Sequence, residues 1–152
     1  MSVKNAVAEV LNGSLESVSQ IFPFDLIVER PESNLSSIQI KELGVMIGMS
    51  GDLHASLIIE GNESSFGLIG ERMFGMPLEG EMLNSFTKEL ANMVAGHLST
   101  RVSKSDLALQ ITTPQVMDTY SVNSRHHYSF KIPVQFQDDH KLTLFLIVDK
   151  GS

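Results

Sequence analysis

The chain has 152 residues and a net charge of −7, with 42% hydrophobic and 19% charged residues, a composition that fits one folded domain, residues 1–152, around one sizeable core. It contains no cysteine, which excludes disulfides and thiolate metal sites, and its scattered acidic residues offer no basic cluster for DNA or RNA. The opening "MSVKNAVAEVLNG" has neither a basic flank nor an unbroken apolar run, and "LFLIV" is far too short to span a bilayer, so a cytoplasmic protein without membrane association is expected.

Val3, Val7, Val10, Leu11, Leu15 and Val18 recur at helical spacing, which predicts a first amphipathic helix over residues 2–20. Pro23 stops it, and a short strand is expected at Leu26 to Glu29. "RPESNLSS" reads as a turn-rich connection. "IQIKELGVMIGM" and "LHASLIIE" then read as two strands of a hairpin, joined by a Gly-centred turn at Ser50 to Asp52. A second helix follows in "NESSFGLIGERMFG", with Ser64 or Ser65 as N-cap and Gly75 and Pro77 ending it. A longer helix is expected over Glu81 to Ser103. After it "LALQIT", "HHYSFKIPVQFQ" and "KLTLFLIVD" read as strands, the last two joined around "DDH".

The resulting order is α-β-β-β-α-α-β-β-β. Strands come in consecutive groups, so the fold class is α+β, long helices packed on a largely antiparallel sheet. No Gly-rich phosphate loop, GxGxxG turn, GxSxG elbow or HExxH pair occurs. "GMSG" at Gly48 to Gly51 reads as turn rather than nucleophile, because Gly and Ser are what turns select. None of the five histidines forms an i, i+4 ligand pair on a predicted helix, and His126 and His127 would point to opposite faces of a strand. No metal site is expected.

The third helix carries an anomaly. At about 100° per residue, Leu83, Phe86, Leu90, Met93, Val94 and His97 fall in one sector, the expected core face. Ser85, Glu89, Asn92, Gly96 and Ser99 fall in another, about 140° away. In a helix interior Gly96 costs about 1 kcal/mol against alanine, and Asn92 several tenths. Three readings are open at this point. Gly96 admits a neighbouring element that Asn92 bonds to, or both are tolerated surface residues, or the strip receives a partner whose backbone comes close to the Asn92 amide.

Glu-x-x-Asn occurs three times, at Glu9 to Asn12, Glu81 to Asn84 and Glu89 to Asn92. Only the third has Ser85 four residues before it and Gly96 four residues after its Asn. An amide does not titrate near neutral pH, so Asn92 can hold a water but cannot act as base or nucleophile. Glu89 can pair with a lysine of a docked protein. Such a pair suits phosphoryl transfer, in which catalysis is mostly orientation and electrostatics.

With "LALQITTPQVM" after it, "SFTKELANMVAGHLSTRVS" resembles the signature of the CheC/CheX/FliY phosphatases of bacterial chemotaxis. Their pattern is an acidic residue or Ser, three residues on a Glu, two residues on an Asn, and later a Pro. Ser85, Glu89, Asn92 and Pro114 take those places here, with 21 residues between Asn92 and Pro114. "IGMSGDLHASLII" also looks like the strand-turn-strand that precedes the helix in the family. One complete copy of the motif in a short chain points to the CheX-like branch.

The resemblance implies a CheC/CheX-like fold and a phosphatase acting on the aspartyl phosphate of a CheY-like receiver domain. Glu89 would pair with the receiver's lysine and Asn92 would orient the attacking water, with Ser85 and Gly96 contacting the partner. No cofactor of the chain's own is implied, since Mg²⁺ would be held by the receiver. A homodimer with sheets joined through strands of the C-terminal half is also implied. The alternative is a non-catalytic module that binds or sequesters a receiver domain through the same face.

Overall fold

The computed structural model describes residues 1–125 and 127–150. His126, expected beside His127 in a strand, lies outside them. In chain order the elements are α1 (Val3–Ile21), β1 (Ile27–Val28), β2 (Glu32–Ser33), β3 (Ser37–Ile40), β4 (Leu43–Gly51) and β5 (Ala55–Gly61). Then come α2 (Glu63–Phe74), α3 (Glu81–Ser103), β6 (Leu109–Ile111), β7 (Gln115–Met117), β8 (Tyr120–Asn123), β9 (His127–Phe136) and β10 (His140–Asp149).

One antiparallel sheet runs β1-β9-β10-β5-β4-β6, with β2 also on β9 and β7 also on β4. Its centre is the long β9–β10 hairpin, paired from His140 opposite Phe136 to Asp149 opposite His127. Alternate residues of β10, Leu142, Leu144, Leu146 and Val148, point into the main core with Val45, Ile47, Leu57 and Ile59. The three helices cover that face: α1 packs along α3, and α3 against β4, β6 and β7. The opposite face holds a smaller cluster of Ile38, Ile40, Ile58, Phe145 and Ile147, roofed by the separate β3–β8 ribbon. The fold class is therefore α+β with helices on an antiparallel sheet, as expected.

The element order differs from expectation in its small strands. "IQIKELGVMIGM" is two strands, because Lys41 and Glu42 both donate their backbone N–H to the Glu60 carboxylate, at 2.7 and 3.2 Å. That bond turns the chain from the ribbon into the sheet. The turn after β4 is also later than predicted. Ser50 and Gly51 still pair with β6, and residues 52–54 make the connection. Gly51 has φ +114°, and a Cβ there would come within 2.6 Å of the Ala108 carbonyl oxygen. Its glycine thus serves a close strand crossing as well as a turn.

The N-cap of α2 is Asn62, whose Oδ1 accepts from the Ser65 N–H at 2.7 Å, and neither Ser64 nor Ser65 fills that role. Ser65 is instead buried, its hydroxyl 3.0 Å from Nδ1 of His140.

Candidate functional site

Helix α3 spans 23 residues, the length predicted. Leu83, Phe86, Leu90, Val94, Leu98 and Val102 are buried along it, joined by the small Ala91 and Ala95. Full burial of one such large side chain is worth about 1.5–3 kcal/mol, so this face fixes which way the helix is turned. Met93 and His97, expected in the core, are only half-buried. His97 Nδ1 lies 2.7 Å from the Ser17 hydroxyl, a polar link between α3 and α1 at the margin of the core.

On the opposite side Ser85, Glu89, Asn92 and Gly96 are all exposed on one strip. Among the described residues no hydrogen bond or ion pair engages the side chains of Glu89 or Asn92. A Cβ added at Gly96 would meet nothing within 4 Å. Internal packing therefore does not require this glycine. Gly13 of α1 makes the contrast: a Cβ there would stand 2.9 Å from Leu98 Cδ1 and 3.3 Å from Val102 Cγ1. One helical glycine admits a neighbour already present, and the other faces open space. Ser99, counted with the strip from its angle, is half-buried and donates to the Leu109 carbonyl at 3.3 Å. It ties α3 to β6.

The three Glu-x-x-Asn copies separate on these grounds. Glu9 is engaged internally. Its Oε2 accepts from Ser105 Oγ at 2.8 Å and pairs with Arg101 at 3.2 Å, while Arg101 also reaches Glu16 at 2.7 Å. The Ser105 hydroxyl, and then Arg101, hold the Glu9 carboxyl below the usual glutamate range. Glu81 and Asn84 lie in the first turn of α3, on exposed positions away from the Gly96 end. Only Glu89 and Asn92 combine exposure, disengaged side chains and an open glycine one turn on. Pro114 is buried in the link between β6 and β7, outside α3 and its strip.

An open groove of about 720 Å³ borders the strip at the α2–α3 junction. Phe74, Met76, Leu78, Met82 and Phe86 form its walls, and Ser85 and Glu89 its rim. Phe74, Met76 and Met82 are 57%, 50% and 55% exposed. Gly75 closes α2 in the left-handed conformation, φ +75°, which turns Phe74 and Met76 outward around the helix end. Phe74 meets Phe86 edge-on, with centroids 5.6 Å apart. The groove was not foreseen from sequence. The available signal was "MFGMP", three large apolar residues around a helix stop, with Met82 off the core face of α3.

Among the described residues, no group of three or more His, Asp or Glu is placed to hold a metal ion. No helix of the described residues is long and apolar enough to cross a membrane.

Similar architectures occur in solved chemotaxis proteins. A CheC-like superfamily protein from Shewanella sp. PV-4 superposes with a TM-score of 0.79 at 21% identity, covering 98% of this chain and 99% of that one. Chemotaxis protein CheX from Vibrio vulnificus gives 0.76 at 18% identity, with 93% and 97% covered. The CheX chain of a CheX–CheY–BeF3–Mg²⁺ complex from Borrelia burgdorferi gives 0.72 at 16% identity, with 95% and 97% covered. The fold is thus that of the CheC/CheX chemotaxis proteins. No curated protein matches the sequence. The family model described as chemotaxis phosphatase CheX matches residues 43–136. This chain belongs to that family and to its CheX-like branch.

Proposed function

We infer that this protein, a single domain over residues 1–152, dephosphorylates the aspartyl phosphate of a CheY-like receiver domain. The observation that carries the reading is the state of α3: Glu89 and Asn92 exposed and unengaged, beside a glycine with open space in front of it. Membership of a phosphatase family supports it, as does the likeness to a chain crystallised as a complex with CheY, BeF3 and Mg²⁺.

In this mechanism the strip docks over the receiver's phosphorylation site. Glu89 accepts a charge-assisted hydrogen bond from the receiver's active-site lysine and sets the register. The Asn92 carboxamide enters the pocket, and its oxygen and NH₂ group hold one water in line with the phosphorus. The water oxygen bonds to phosphorus as the bond to the aspartyl oxygen breaks, which yields inorganic phosphate and free aspartate. Asn92 exchanges no proton; it supplies orientation, to which phosphoryl transfer responds strongly. Gly96 leaves room for the partner's backbone, and Ser85 contacts the partner one turn before Glu89. Mg²⁺ is the receiver's, and the reaction belongs in the cytoplasm.

The reading includes a homodimer. Within the main sheet β9 carries β10 on one side and β1 and β2 on the other, and β10 lies between β9 and β5. Of the C-terminal-half strands in that sheet, β6 and β7, both on the outer side of β4, are the ones with an edge for joining.

Phosphate release from a phosphorylated receiver domain with Mg²⁺ tests the function. Wild type should exceed the receiver's own decay, and Asn92→Ala should lose about a hundredfold or more of kcat, as orientation losses do. Glu89→Ala should lose binding as well as rate. Binding by wild type without any acceleration would instead identify a sequestering module.

A further inference from the structure

We propose that the groove at the α2–α3 junction is a second contact for the same receiver domain: it takes an apolar side chain that the receiver presents beside its active-site lysine. The proposal rests on the function inferred above and adds a partner-recognition subsite to it.

Three observations lead there. The groove and the strip are one continuous surface, because Ser85 and Glu89 belong to both. Phe74, Met76 and Met82 leave half or more of their area in water, although Leu83 and Phe86 of the same helix pair are buried. Solvent-facing apolar side chains gathered in one concavity mark a contact surface, whereas the same residues scattered singly would not. The third observation is charge. Glu81 and Glu89, both exposed, line the groove, so an apolar group bordered by lysine fits there and one bordered by carboxylates is repelled.

Size decides against a second copy of this chain. A stable dimer buries about 800 Å² per partner, more than three partly exposed side chains can offer. As one anchor within a larger interface on α3 the patch is adequate, since a few central apolar residues dominate such contacts. Methionine suits the task, because its unbranched, polarizable chain adapts to the shape of what it meets.

Affinity for a beryllofluoride- and Mg²⁺-activated receiver domain, taken from those on which wild type shows turnover, tests the idea. The double variant Met76→Ser/Met82→Ser should weaken Kd by about tenfold or more and raise KM in step, with kcat within about twofold because the strip is intact. Met82→Leu should restore most of the affinity. Both positions are exposed, so circular dichroism and Tm should match wild type. Asn92→Ala must give the opposite pattern, with kcat lost and Kd retained. Unchanged Kd in the double variant overturns the subsite and leaves the phosphatase reading standing. A double variant that alters self-association but not receiver affinity also overturns it, and assigns the groove to contact between copies. If wild type neither binds nor dephosphorylates any receiver, subsite and function fall together.

Discussion

Gly96 is the residue whose structural context says most. A helix-interior glycine is tolerated when a neighbour needs the space, yet nothing of this chain lies within 4 Å of the missing Cβ. Gly96→Ala should therefore raise stability by about 0.5–1 kcal/mol, seen as a higher urea midpoint. The same change should weaken receiver binding, because the methyl group stands where the partner's backbone is inferred to pass. A variant more stable and equally tight in binding would mean that the glycine serves no docking role. Sequence reasoning could find this residue, because its cost against helix propensity is intrinsic to the chain. It could not choose between a neighbour within the protein and one outside it. That choice depends on what packs over the helix, which no local pattern encodes.

At the scale of elements, the long amphipathic segments were readable and the short strands were not. α1, α3 and the β9–β10 pair carry repeating apolar periodicity over many residues, and their limits follow it closely. β2, β7 and β8 have two to four residues each, with mixed exposure, and too few positions for a period to show. They exist because the tertiary structure offers each an edge to pair with. The clasp between α1 and α3 was also invisible, being made by residues far apart in sequence: Glu9 and Glu16 on one helix, Arg101 on the other, and Ser105 in the turn after it. It has a pH dependence of known sign. Glu9 is held below its usual range in the folded protein, so the unfolded chain takes up its proton first as pH falls. The contribution is complete above the ordinary glutamate value of about 4.3 and vanishes as pH drops through the lower folded value. Urea midpoints between neutral pH and about pH 3 should fall more steeply for wild type than for Glu9→Gln. Parallel curves would show that the clasp adds nothing. Arg101 keeps its charge throughout this range.

For the whole molecule, the division of labour follows from the sheet having two unequal faces. The helical face holds the large core and fixes α3 from beneath, so the strip can carry residues poor for helix stability without the helix turning or fraying. α+β order and helix-on-sheet layering were legible because strand groups alternate with helix groups. The second roof was not, because β3 reads as the start of the strand that becomes β4, and the four residues of β8 are too few to show a period. That ribbon joins Ser37 to Asn123 and Ile40 to Tyr120, and it is pinned by Ser124, whose hydroxyl donates to the Leu35 carbonyl at 2.5 Å.

A pairing across about eighty intervening residues cannot form early in folding, since loop closure must precede any reward from the contact. The ribbon should be the last piece to close and the first to open. Ile38→Ala, in its small sealed cluster, should then speed unfolding and leave the refolding rate nearly untouched. Stopped-flow chevrons would show a shifted unfolding arm. Equal shifts in both arms would place the ribbon inside the folding nucleus instead.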